Sequence, residues 1–168
     1  TGANNTAAGQ ESLRLNTTGG YNTAVGGAAL RSNTTASNNT AVGYQSLYSN
    51  TTAINNVAVG HKALFVSNGE SNVAMGYFAL ASNTSGIRNT AVGGDVSGTN
   101  YGALYANTTG DLNSAFGNSA LVSNSTGSYN VGLGAGALYS NTTASNNTAV
   151  GYQAFYSNTT TSNNTGLG

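Results

Sequence analysis

Several residue types are missing from this chain. Its 168 residues include no cysteine, proline or tryptophan, and only 5% are charged, where about 25% is usual. Without cysteine, disulfide bonds and thiol chemistry are excluded. Four basic and four acidic residues give zero net charge, so no basic surface attracts nucleic acid or an anionic membrane. No apolar run reaches the length of a transmembrane helix. We therefore predict no nucleic-acid partner and no membrane insertion.

What the chain does contain is a repeat. Its unit is approximately N-T-A-V-G-x-x-A-L-x-x-N-T-T-x-x-N, and seven of the nine intervals between successive motif glycines are 17 residues, with one of 16 and one of 24. Such regularity marks a repeat architecture. We predict that residues 1–168 form a single array with a seven-residue insertion within 94–102. The glycines that define the register are Gly9, Gly26, Gly43, Gly60, Gly76, Gly93, Gly117, Gly134, Gly151 and Gly168.

The unit is too short for a pair of helices, because helical repeats need more than about thirty residues. Thr-Ala-Val alternates with period two, which places Thr and Val on one face of a strand and Ala on the other. Asn-rich clusters favour turns. The sequence therefore predicts an all-β fold, a parallel β-solenoid (β-roll) of about nine 17-residue coils. Each coil would hold two short strands and two turns, with at most a short 3₁₀ element at A-L-x-x-N.

Stacking of the coils would place equivalent side chains above one another, valine on valine and leucine on leucine. Asparagines in such a stack can form amide ladders along the axis. At about 4.8 Å per coil, nine steps give a rod of roughly 43 Å. The best ladder candidate is one asparagine column, formed by Asn16, Asn33, Asn50, Asn83, Asn107, Asn124, Asn141 and Asn158.

The apolar content of one coil is small: one valine, one leucine and a few alanines. We therefore expect a second buried face shared between chains. An aromatic column after the leucine either makes that contact or covers its own coil, and the sequence leaves both readings open. Its members are Tyr48, Phe65, Tyr105, Tyr139 and Tyr156.

Two stretches carry a resemblance to known families. Val57-Ala58-Val59-Gly60 and Val73-Ala74-Met75-Gly76 resemble the head repeats of trimeric autotransporter adhesins, and residues 39–52 are similar to repeats of phage tail fibres. The resemblance implies side-by-side trimers and a place outside the cell, at a cell surface or on a virion. The repeat runs to both termini, so we expect either a piece of a longer fibre or end-to-end stacking.

Candidate chemistry is sparse. Asp95 and Asp111 bracket the insertion. One interpretation is the carboxylate pair of a glycoside hydrolase, and the simpler one is two turn residues that follow Gly94 and Gly110. His61, the sole histidine, occupies a position that is tyrosine in other repeats. Gly132-Leu133-Gly134-Ala135-Gly136 is in register with the repeat, which argues against a nucleotide loop. We predict no catalysis, no cofactor and no metal site.

The insertion is the one candidate for recognition, because insertions in repeat proteins form loops that often bind. Its candidate contacts to a cell-surface glycan or receptor are Asp95, Thr99, Asn100 and Tyr101; the alternative is a tolerated bulge. The leading functional hypothesis is a structural fibre: a tail-fibre shaft or head, a surface adhesin or an extracellular filament. Two alternatives are an ice-binding solenoid with threonine ladders and a glycan-binding or glycan-processing spike.

Overall fold

A computed structural model describes residues 2–94 and 101–168. These residues form ten three-residue strands in one parallel sheet, whose spatial order follows the chain. None of the described residues belongs to a helix that is long and apolar enough to cross a membrane. The strands are β1 (Thr6–Ala8), β2 (Thr23–Val25), β3 (Thr40–Val42), β4 (Val57–Val59), β5 (Val73–Met75), β6 (Thr90–Val92), β7 (Ser114–Phe116), β8 (Val131–Leu133), β9 (Thr148–Val150) and β10 (Thr165–Leu167).

Equivalent residues of successive coils face each other in the sheet. Thr23 pairs with Thr40, Ala24 with Ala41, and the same register recurs from β1 to β10. It persists across both the 16-residue and the 24-residue interval, where Val57 pairs with Val73 and Thr90 with Ser114. The predicted all-β parallel solenoid of about nine coils is confirmed.

The second strand expected in each coil was wrong. After the corner glycine the chain makes consecutive turns: Ala29 N–H donates to Gly26 C=O at 3.3 Å and Asn33 N–H to Leu30 C=O at 3.2 Å. Leu30 has a φ of 48°, and leucines at equivalent positions have similar values. That left-handed conformation is incompatible with a strand. The A-L-x-x-N segment is therefore a bend that returns the chain to the next strand, rather than a strand or a 3₁₀ element.

The motif glycines form the corner that follows each strand. Gly26 has a φ of 132°, and a Cβ there would lie 2.5 Å from the carbonyl oxygen of Gly43 in the next coil. Both the dihedral angle and the close approach require glycine. We call these residues the corner glycines.

The interior is built from alanine and leucine, and not from the valines. The middle residue of each strand points inward, so Ala41 and Ala58 are fully buried, and Leu47 and Leu64 meet them from the turn side. The valines point outward: Val25 remains 38% exposed and Met75 43%. The alternation of Thr and Val against Ala was predicted correctly, but counting one valine per coil in the core was wrong. Inside this narrow coil the strand centre has room for little more than a methyl group.

The predicted asparagine ladder is present along the turn side of the coils. Asn33 Nδ2 donates to Asn16 Oδ1 at 2.7 Å, and Asn124 Nδ2 donates to Asn107 Oδ1 at 2.8 Å. Each of these amides also donates within its own coil, as Asn33 does to Ala36 C=O at 3.0 Å. Asn33 and Asn124 are fully buried. Their hydrogen bonds therefore satisfy polar groups that would otherwise destabilise the interior.

A second asparagine column lies just before the strands. Asn22 Nδ2 donates to Ala36 C=O of the next coil at 2.8 Å, while its Oδ1 accepts from the backbone N–H of Asn39 at 3.0 Å. Each of these side chains therefore links two coils through backbone groups. The carbonyl of Ala36 accepts from both columns, which ties the two ladders together. The second column comprises Asn5, Asn22, Asn39, Asn56, Asn72, Asn89, Asn113, Asn130, Asn147 and Asn164.

Candidate ligand-binding face and outer sheet face

The predicted recognition loop is described only in part. Asp95, Thr99 and Asn100 lie outside the described residues. Tyr101 is 53% exposed and stacks on Tyr105 with ring centroids 4.0 Å apart. The turn still closes across the insertion, because Ala103 N–H donates to Gly93 C=O at 3.0 Å. The next strand keeps its register, since Thr90 pairs with Ser114.

Two of the three described acidic residues, Asp111 and Glu11, serve local structure through their side chains. Asp111 Oδ1 accepts from Ile87 N–H of the preceding coil at 2.8 Å, which is the role that serine plays in equivalent positions. Glu11 accepts from Arg14 and from Arg31, each at 2.7 Å. The hydrogen bond from Arg31 lowers the pKa of Glu11 below its ordinary value. Within residues 2–94 and 101–168, no three His, Asp or Glu side chains gather as metal ligands would.

Aromatic rings stack along the axis on the side of the turns. His61 lies between Tyr44 and Tyr77, with centroid separations of 5.5 Å and 5.0 Å. Lys62 Nζ lies 5.3 Å from the ring centroid of Phe65, which favours a cation–π contact. His61 thus takes the place of a tyrosine in a ring stack, as its position in the repeat suggests.

The aromatic column after the leucine packs along its own solenoid. Tyr48 stacks on Phe65 at 5.2 Å and Tyr139 on Tyr156 at 4.7 Å, with interplanar angles of 18° and 15°. Tyr48, Phe65 and Tyr139 are half-buried in the single chain. Of the two interpretations left open by the sequence, the contacts within the chain support the one in which these rings cover their own coils.

Two clefts open on this aromatic side. The first, of about 290 Å³, lies around Gly27 and Ala28 and is walled by Tyr44, Gln45 and Tyr48. The second, of about 240 Å³, lies around Ala135 and Gly136 and is walled by Tyr152, Gln153 and Tyr156. In both places, two small residues follow the corner glycine of one coil. The next coil has the sequence Gly-Tyr-Gln at the equivalent position. Sequence analysis missed these clefts, although the small pairs were visible beside the tyrosines.

The other notable surface is the outward side of the sheet. The third residue of each described strand forms an apolar column along this side. In it, Phe116 is 40% exposed and Leu133 47%. Monomeric proteins seldom expose long contiguous apolar patches. We call this set the outer apolar column; it comprises Ala8, Val25, Val42, Val59, Met75, Val92, Phe116, Leu133, Val150 and Leu167.

A threonine and serine column forms a third surface. Thr34 Oγ1 donates to Thr51 C=O of the next coil at 3.0 Å, while Thr35 beside it is exposed. Equivalent exposed residues are Thr18, Thr52, Ser85, Thr109, Thr126, Thr143 and Thr160.

Comparison with known proteins does not assign this chain to a family: no protein-family model, no curated protein and no solved structure matches it.

Proposed function

We propose that this repeat protein is a non-catalytic structural fibre that associates side by side with further copies of itself through the outer apolar column. The observation that carries the proposal is the partial exposure of this column: Val25, Met75 and Leu133 are between 38% and 47% exposed, while other members such as Val42 and Val59 are half-buried. Burial of such a surface stabilises an assembly by about 25 cal/mol for each Å² removed from water.

A second copy is the best occupant for this surface because it has the same periodicity. Successive side chains in the column are spaced by one coil, about 4.8 Å. A partner needs matching spacing to place its own side chains between them, and another copy of the chain has it. Zero net charge imposes little repulsion between the copies. The resemblance to adhesin heads and tail fibres agrees with a lateral assembly outside the cell, on a cell surface or a virion.

The experiment compares sedimentation of the wild type with that of a double variant, Met75→Lys and Leu133→Lys. Two lysines on the outward face are expected to convert the assembly to monomers, because each would be desolvated on association. The matched control is Thr35→Lys with Thr126→Lys, which adds the same charge on the threonine side. A wild type that sediments as a monomer at all concentrations, or equal dissociation by both pairs, overturns the proposal.

Ice binding is the second candidate. It is favoured by the exposed threonine column, to which Thr35 and Thr126 belong. The other threonine column, in the strands, is interrupted by Val57, Val73 and Val131. The sedimentation samples also serve a thermal hysteresis measurement. Hysteresis that the control pair Thr35→Lys and Thr126→Lys abolishes would select ice binding over the fibre.

A further inference from the structure

The two clefts are copies of one site. Residues 26–52 and 134–160 are identical at 22 of 27 positions, and the clefts fall at equivalent places in these two segments. In both, small residues form the base, while Tyr-Gln from the next coil and a tyrosine beyond it form the walls. In two of the four intervening coils the corresponding positions hold aromatic rings: His61 stacks on Tyr77, and Phe78 meets Tyr77 edge-on.

We propose that both clefts bind a neutral saccharide, one or two sugar rings each. Tyrosine rings provide flat apolar surfaces with a polar tip, and these suit the C–H face of a pyranose. The amides of Gln45 and Gln153 each offer two donors and an acceptor oxygen for sugar hydroxyls. The volumes of about 290 and 240 Å³ lie below the range of pockets for drug-sized ligands, roughly 300–1,000 Å³. For this reason we assign only one or two sugar rings to each cleft.

The charges around the clefts favour a neutral ligand. Of the described residues that line the second cleft, none is charged: besides its tyrosines and Gln153 it has Asn118 and Ser119. The first has Glu11 and Arg31 at its edge, but these two side chains bind each other at 2.7 Å. Within the described part of the chain, neither cleft therefore presents an unpaired charge to a carboxylate or sulfate on a sugar.

The two sites are related by six coils, or roughly 29 Å along the axis at about 4.8 Å per coil. A polysaccharide, or a surface that displays many short glycans, can engage both clefts of one chain. The effective concentration of the second contact then raises the overall affinity without a new interaction. This inference is independent of the proposed lateral assembly, since the clefts and the outer apolar column use different side chains.

The test fills each cleft with a residue that the fold already accepts at that position. Gly27→Tyr and Ala135→Tyr reproduce the tyrosine found there in other coils, such as Tyr44 and Tyr152. Binding of maltotriose, cellotriose and triacetylchitotriose is measured by calorimetry and by saturation-transfer NMR on the wild type and the double variant. We expect one of these neutral trisaccharides to bind the wild type, and the double variant to lose at least about tenfold in affinity, as when a central contact is removed.

A tyrosine control separates the clefts from general aromatic stickiness. Tyr21 and Tyr129 are 65% and 58% exposed and lie outside both clefts, so Tyr21→Ala with Tyr129→Ala should leave binding unchanged. Absence of binding to all three trisaccharides at millimolar concentration overturns the inference, as does binding that survives the filled clefts. Preference for a sialylated over a neutral probe also overturns it. Sedimentation of the filled variant should match the wild type, which keeps this test distinct from that of lateral assembly.

Discussion

Asn50 and Ser67 occupy equivalent positions in successive coils, and there the first asparagine ladder is broken. Asn50 Oδ1 is buried and, within the described part of the chain, has no hydrogen-bond donor. In other coils of the array the next asparagine supplies that donor, as Asn141 does to Asn124 at 2.9 Å. The defect coincides with the 16-residue interval of the repeat, where Asn56 Nδ2 also lacks an acceptor. Two of the three buried asparagine atoms without a partner in the described chain therefore lie beside the shortened coil; the third is Asn147 Nδ2.

Ser67→Asn is expected to repair the ladder and stabilise the fold, because it brings a donor to Asn50 Oδ1. An added hydrogen bond to a buried, unpaired acceptor contributes about 1–3 kcal/mol to the free energy of unfolding. At this chain length each kcal/mol raises the melting temperature by about 2–4 °C. Thermal unfolding followed by circular dichroism measures the change. The reciprocal variant, Asn124→Ser, should lower the melting temperature. If both variants shift the melting temperature in the same direction, the role given to the ladder is contradicted.

Two neighbouring glycines should respond to alanine in opposite ways. Gly132 stands in the inner strand position that is alanine in most coils, and a Cβ there meets no atom closer than 3.3 Å. Gly132→Ala should stabilise the chain by about 0.4–1 kcal/mol, since it restricts the unfolded state. Gly134 has a φ of 133°, and a Cβ there would lie 2.7 Å from the carbonyl carbon of Gly151. Gly134→Ala should destabilise by at least about 1–3 kcal/mol from the backbone strain alone. Chemical denaturation of both variants checks the pair, and similar effects would contradict the corner geometry.

The ion pairs of Glu11 predict a pH dependence of stability at one end of the array. The pKa of Glu11 is lowered in the folded chain, chiefly by its hydrogen bond from Arg31. Because the pKa is lower in the folded chain, the ion pairs stabilise the fold at pH values above the ordinary glutamate pKa of about 4.3. This stabilisation is lost as the pH falls through the pKa of Glu11 in the folded chain. Melting temperatures at pH 7 and pH 3 should differ more for the wild type than for Glu11→Gln. Because both partners are exposed, the difference should be small and should shrink further in high salt. An equal pH response of both proteins would show that the pair contributes nothing to folding.

The repeat predicted the fold because its information is local and is stated ten times. Corner glycines, alternating strands and the asparagine ladder follow from single columns of the sequence. The bend at the leucines could not be predicted in this way, because leucine rarely adopts the left-handed conformation that Leu30 and its equivalents have. Nor did alternation reveal which strand face is inside. That choice depends on the width of the coil, which the buried asparagines and leucines determine together.

The candidate sites were less accessible to sequence reasoning. The insertion attracted attention because it interrupts the pattern, whereas the clefts lie inside the pattern. Each cleft exists because Gly27 or Ala135 is small while the neighbouring coil carries Tyr44 or Tyr152. Such a combination of residues from three coils becomes visible only once the coils are stacked.

The unchanged register across the sheet has a consequence for how the gene can vary. Loss or gain of a whole coil joins one corner glycine to another and recreates every ladder contact, so only the length of the rod changes, by about 4.8 Å. Loss of a single residue, as between Asn56 and Asn72, leaves the amide of Asn56 without an acceptor instead. The length of the rod can therefore change in discrete steps through gain or loss of whole coils, and the surface of each coil can diverge afterwards.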